Sequence, residues 1–130
     1  MADGSKKKRT TAKRGATSRR SREAAGRHHN VYVVLLDREV LQHKRFRDAN
    51  PDHDPIKPCV YVGMTGKTPE ERFVDHQRGH KSNTYVYKYS VKLLPKHFER
   101  LNPMTYAEAV DEEKRLANRL RRKGYAVWQA

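Results

Sequence analysis

The sequence predicts one small α/β domain of the α+β kind, preceded by a basic tail. Three observations carry that reading. Val31–Leu36 and Cys59–Val62 are β-branched and aromatic runs, the composition of strands. Two later segments open with the Thr-x-x-Glu signature of a capped helix, at Thr68–Glu71 and Thr105–Glu108. Residues 1–28 hold ten Lys or Arg against Asp3 and Glu23, with no large apolar side chain beyond Met1. Such a segment cannot bury enough apolar surface to offset chain entropy, so a disordered tail is expected over 1–28. Residues 29–130 then form the domain, large enough to bury roughly two thirds of its surface.

Charge points to the partner class. The formal charge is +14, of which +8 lies in residues 1–28 and +6 in the remainder. Both parts are basic, which favours a polyanionic partner over a charge excess kept for solubility, because self-repulsion is costly without counter-ions. Cys59 is the sole cysteine, which excludes an internal disulfide and any multi-cysteine zinc site and suits a reducing compartment. The longest wholly apolar run, Val31–Leu36, is six residues, far short of a membrane span. The N-terminus lacks the apolar centre of a secretory signal. The expected location is cytoplasmic and nucleoid-associated, or nuclear, and not secreted. Lys6, Lys7, Lys8 and Arg9 suit a nuclear import signal and a phosphate-tracking arm equally.

The elements follow in order. The continuous apolarity of Val31–Leu36 predicts a strand buried on both faces. Residues 37–58 turn polar, and Asp48–Pro55 is dense in turn formers, so a long loop insertion is expected there, anchored by Leu41 or Phe46. A second, antiparallel strand starts at Cys59, and the chain is expected to turn at Gly63 and Gly66. Thr68 caps the next helix, Pro69 takes its first position, and Gly79 ends it. Residues 81–94 read either as one strand, from the alternation Tyr85, Tyr87, Tyr89, Val91, or as a short helix capped by Ser82 or Asn83 with a strand at Val91–Leu94. The second is preferred, because Ser90 interrupts the alternation. The last helix presents Tyr106, Ala109, Val110, Glu113, Leu116, Ala117 and Leu120 as one inward stripe and stops at Gly124. Tyr125–Trp128 then packs on the sheet or adds an edge strand.

Glu113 is out of place in that stripe. A buried carboxylate is costly unless it is paired or holds a metal. A structural ion pair with an arginine such as Arg72 is the plain explanation, and a functional one needs partners.

Those partners come from a constellation. Asn30-Val31-Tyr32 lies on the first strand and Tyr61-Val62-Gly63 on the second. Arg72 and His76 are four residues apart on the following helix. Glu108-Ala109-Val110-Asp111-Glu112-Glu113 opens the last helix. In order and spacing this resembles the GIY-YIG nuclease domain over about residues 30–124. Asn30 replaces the leading glycine of the first tripeptide. Tyr125 stands where many relatives carry an asparagine, and Asn118 and Gln129 fall off that spacing.

The resemblance implies a small antiparallel sheet of three strands flanked by helices, and metal-dependent hydrolysis of DNA phosphodiesters, by nicking from a single site. It implies one Mg²⁺ or Mn²⁺ on Glu113, Arg72 as charge stabiliser, Tyr32 as general base, Tyr61 placing water or phosphate, and His76 as proton relay or phosphate ligand. A phosphodiester needs an activated water, charge neutralisation and help for the leaving oxygen, and these residue types meet those needs. A tyrosine base requires a phenol shifted below its usual value of about 10. The expected partner is DNA, branched or damaged forms included, with RNA also open and no membrane. The alternative is a non-catalytic nucleic-acid-binding module on the same frame.

Other candidates rank lower. Lys67, in a glycine loop before a helix, is placed either to hold phosphate or to face solvent. His76 and His80 have metal-ligand spacing but no third ligand in view. His28 and His29 read as tail. Tyr85, Tyr87 and Tyr89 suit core packing ahead of base stacking. Trp128 reads as core or as a plug at the domain edge.

Overall fold

The computed structural model describes residues 26–130. The tail residues Lys6, Lys7, Lys8 and Arg9 lie outside them. The chain runs β1 (Asn30–Leu36), a 3-10 turn (Arg38–Gln42), α1 (Lys44–Asp48), β2 (Cys59–Thr65), α2 (Pro69–Gln77), α3 (Thr84–Tyr89), β3 (Ser90–Leu93), a second 3-10 turn (Pro95–His97), α4 (Tyr106–Arg122) and β4 (Ala126–Gln129).

The four strands form one sheet in the order β3-β1-β2-β4. β1 pairs antiparallel with β2 and β3, and β4 pairs parallel with β2. The expected sheet of three antiparallel strands is therefore corrected to a mixed sheet of four. The physical reason is the free edge of β2, whose backbone groups need partners once buried. α4 acts as the crossover that returns the chain alongside β2, so the added strand is parallel. β1 and β2 each bury every residue but one, as their mostly apolar sequences require, with helices packed against them.

Local signals explain most element ends. Thr68 and Thr105 each accept from the third helical N–H while Glu71 and Glu108 reach back, completing both capping boxes. Gly79 (φ 77) and Gly124 (φ 95) take the left-handed angle that stops α2 and α4. Asn83, not Ser82, caps α3. Gly63 is no turn: it lies inside β2, directly opposite Tyr32 on β1. Tyr106 also departs from its expected place. It is 62% exposed, on the first turn of α4, with its ring edge against His29.

Residues 37–58 are more than the long loop expected. They carry the first 3-10 turn and α1, and they bury Val40, Phe46 and Asn50. Phe46 stacks on Trp128 and meets Tyr85 edge-on. Asn50 replaces a neighbouring strand at the outer edge of β4. Its Oδ1 accepts from Val127 N at 2.7 Å, and its Nδ2 donates to Val127 O at 3.0 Å. Asn102 does the same for β1, accepting from Val31 N and donating to Val31 O, both at 2.8 Å. These two amides satisfy backbone groups that the short strands β3 and β4 leave open.

Candidate active site

β1 and β2 place the two tyrosines. Tyr32 faces Gly63 across the ladder and Val34 faces Tyr61, so Tyr32 and Tyr61 project from the same face as diagonal neighbours. Their ring centroids are 6.2 Å apart. Gly63 is what lets the Tyr32 phenol lie down over the sheet. A Cβ at residue 63 would come within 2.7 Å of the Tyr32 Oη and 2.8 Å of its ring carbon Cζ. The glycine of the Tyr-Val-Gly tripeptide is thus a space requirement of the tyrosine on the neighbouring strand.

α2 lies over that face. Its period puts Arg72 and His76 one turn apart, both directed at the tyrosines. His76 is fully buried, and its Nε2 lies 2.7 Å from the Tyr32 Oη. Its other nitrogen, Nδ1, lies 2.8 Å from Ser82 Oγ. Both imidazole nitrogens are engaged, so the metal-ligand reading of His76 with His80 fails. The Tyr61 ring meets His76 edge-on at 5.4 Å. Arg72 donates to the carbonyls of His80 (3.1 Å) and Lys81 (2.8 Å) and lies 3.9 Å from Asp75. A guanidinium has five N–H groups, so this anchoring leaves donors for a phosphate.

Glu113 arrives from α4 and is buried, as its place among Ala109, Leu116, Ala117 and Leu120 requires. The expected ion pair with Arg72 does not form, and among the described residues Glu113 makes no salt bridge. Among those residues its hydrogen-bond partner is Gln129, whose Nε2 donates to Oε1 at 3.1 Å. Burial pushes the Glu113 carboxyl up, opposed by that hydrogen bond and by Lys114. Its charge is also felt at Tyr61.

Electrostatics correct one expectation. The Tyr32 phenol is shifted up, not down. Burial dominates, the neighbouring Tyr61 adds to it, and Arg72 opposes it without prevailing. Tyr61 shifts the same way for the same leading reason, with Arg72 again opposing. His76 is pushed down to about 4, by burial first and by the Arg72 charge second. The resting site therefore holds a protonated Tyr32 against a neutral imidazole.

This yields a prediction about acid stability. The unfolded chain protonates this imidazole near ~6.5, whereas the folded chain does so only near 4. Between those values the unfolded state binds more protons, so stability rises with pH and is lost on acidification. Wild type should lose about 3 kcal/mol more than His76→Gln between pH ~7 and ~4. His97, also lowered by burial, contributes equally to both proteins and cancels. Urea unfolding at several pH values measures the difference, and parallel curves would refute it.

Among the described residues Tyr32, Tyr61, Arg72 and His76 are brought together, and Glu113 on α4 comes near enough for its charge to act on Tyr61. Lys67 lies on the surface with its Nζ 2.5 Å from an Asp75 oxygen, and that lysine holds the carboxyl below its usual range. Sequence reasoning missed two contributors. Ser82 was weighed only as a helix cap. Gln129 was set aside on spacing, yet the parallel pairing of β4 with β2 carries it to Glu113. No signal along the chain announces either contact.

As a metal ligand set, the described residues contain no cluster of three His, Cys, Asp or Glu. Among the described residues Glu113 stands apart from other carboxylates and histidines, and its carboxylate makes no salt bridge. That donor set fits Mg²⁺ or Mn²⁺, which bind commonly through one or two carboxylates with substrate phosphate and water completing the shell. No described helix is long and apolar enough to cross a membrane. No protein-family model, curated protein or solved structure matches this chain.

Proposed function

We propose that this protein is a divalent-metal-dependent endonuclease that nicks DNA, with chemistry of the GIY-YIG kind. The observation that carries the proposal is the 2.7 Å contact between Tyr32 Oη and the neutral His76 Nε2, within reach of the Arg72 charge, with the Glu113 carboxylate acting on the neighbouring Tyr61. A structural core has little use for a buried phenol and imidazole in contact beside a guanidinium, or for a buried carboxylate near by, each costly to desolvate.

The roles follow from the geometry. Tyr32 is too firmly protonated to act as a free phenolate, so its proton passes to His76 as the phenol oxygen takes a proton from the attacking water. His76 is neutral at rest, and the negative charge of a bound phosphate would raise its basicity so that it receives the proton. Tyr61, on the same face, orients the water or a phosphate oxygen. Arg72 keeps N–H groups for the phosphate and neutralises charge developing on it. Glu113 would hold the divalent ion, with Gln129 aligning its carboxylate. Such an ion, when bound, polarises the phosphate and stabilises the leaving oxygen. The +14 charge supports a nucleic-acid substrate, concentrating a polyanion at the surface.

The test is conversion of supercoiled plasmid to open circles by the full-length chain, with Mg²⁺ or Mn²⁺ and with EDTA. Nicking that needs the metal and disappears in Arg72→Ala is expected. Salt-sensitive DNA binding without any cleavage in either metal would overturn the proposal and leave a binding module on the same frame.

A further inference from the structure

The loop between α2 and α3 is more than a connector. Lys81 there takes φ 48, a left-handed angle that residues other than glycine and asparagine seldom adopt. The carbonyls of His80 and Lys81 both accept from the Arg72 guanidinium, and the next residue, Ser82, turns its hydroxyl to His76. Three successive residues thus hold both polar side chains that α2 sends to the site.

The hydrogen-bond partners of Ser82 point to one tautomer of His76. A serine hydroxyl has one proton to give. Ser82 Oγ is within reach of Asn83 O at 3.2 Å, an atom that can only accept. With the hydroxyl proton directed there, Ser82 Oγ faces His76 Nδ1 as an acceptor, and Nδ1 is the protonated nitrogen. Nε2 is left with its lone pair facing the Tyr32 hydroxyl. The opposite tautomer would set an Nε2–H against that hydroxyl and remove the only base it touches. Asn83 in turn spends its own side chain on capping α3, accepting from Tyr85 N, which leaves Ser82 for this contact.

We propose that Ser82 is a positioning residue that locks His76 in the Nδ1–H tautomer, keeping Nε2 open to receive the Tyr32 proton. The role rests on the nuclease reading for its purpose. The tautomer itself does not, so the two fail separately.

The experiment is long-range proton–nitrogen correlation NMR on the full-length, metal-free chain with ¹⁵N-labelled histidine, assigned through His76→Gln. Wild type should show a protonated-type Nδ1 and an unprotonated-type Nε2 for His76. In Ser82→Ala the Nδ1–H loses its acceptor, and the signals should move toward the Nε2–H form that free imidazole prefers. Ser82→Thr keeps the hydroxyl and should restore the wild-type pattern. Ser82 is only partly buried in a loop, so these variants should fold, and backbone amide spectra check that. In plasmid nicking, Ser82→Ala should be roughly tenfold slower and Ser82→Thr near wild type, a part of the ~10²–10⁴-fold that general-base catalysis provides. An Nε2–H tautomer in wild type, or an Nδ1–H tautomer unchanged in Ser82→Ala, would overturn the proposal. A chain that shows the expected tautomer and loses it in Ser82→Ala, but never cleaves, would uphold the lock and refute the nuclease reading behind it.

Discussion

Glu113→Gln should reduce metal-dependent nicking by ~10³-fold or more, about 4 kcal/mol of transition-state stabilisation, without destabilising the fold. The two halves of this result arise from one fact: Glu113 is buried and makes no salt bridge among the described residues. Its carboxyl is shifted up by burial, so ionisation of the native state at neutral pH works against folding. A glutamine of the same shape removes that burden and keeps an oxygen for the Gln129 amide, which now donates to Oε1 at 3.1 Å. The urea midpoint at pH ~7 should therefore hold or rise. A structural ion pair behaves oppositely, since removing one partner of a buried pair costs about 3–5 kcal/mol. Nicking and denaturation measured on the same preparation separate these cases. A variant that is destabilised and still cuts would place Glu113 in the frame and not in the chemistry.

Tyr32→Phe should slow nicking by ~10²–10⁴-fold, the range general-base catalysis supplies. The substitution removes one oxygen and keeps the ring that packs over Gly63 and beside Tyr61. What it takes away is the group 2.7 Å from His76 Nε2. The imidazole nitrogen is then left buried without a partner, a loss of about 1–3 kcal/mol, partly offset because the phenol oxygen no longer has to be desolvated. If His76 alone activated water, Tyr32→Phe would cut at nearly the wild-type rate, and the relay from Tyr32 to His76 would be wrong. Single-turnover nicking at saturating metal is the measurement that decides.

Much of this was legible along the chain, for reasons that are local. A capping box is a contact between residues three apart, so Thr68 with Glu71 and Thr105 with Glu108 announce their helices in any context. Gly79 and Gly124 mark stops because their backbone angles suit few other residues. Arg72 and His76 share a face because the helix period requires it, and Glu113 is conspicuous because charge seldom interrupts an apolar stripe. Where local patterns competed, the outcome was less secure. The stripe that located Glu113 also claimed Tyr106, whose helical phase is right but whose turn sits against His29 and solvent. Gly63 read as a turn because glycine commonly is one, when its neighbour across the ladder was the reason for it.

What the sequence by itself determined was the two apolar strands, the two capped helices and their order, the basic character of both segments and the five side chains worth watching. What only the tertiary structure decided was how distant residues meet. The fourth strand pairs in parallel because β2 has an open edge and α4 returns the chain beside it, and that pairing brings Gln129 to Glu113. Asn50 and Asn102 complete strand edges 77 and 71 residues away. Ser82 reaches His76 because Asn83 takes the cap. The phenol of Tyr32 is pushed up because burial outweighs the nearby Arg72 charge. Each of these is a matter of solvent exclusion or of long-range hydrogen bonding. Neither is a property of neighbours in sequence: both exist only once the chain has closed on itself.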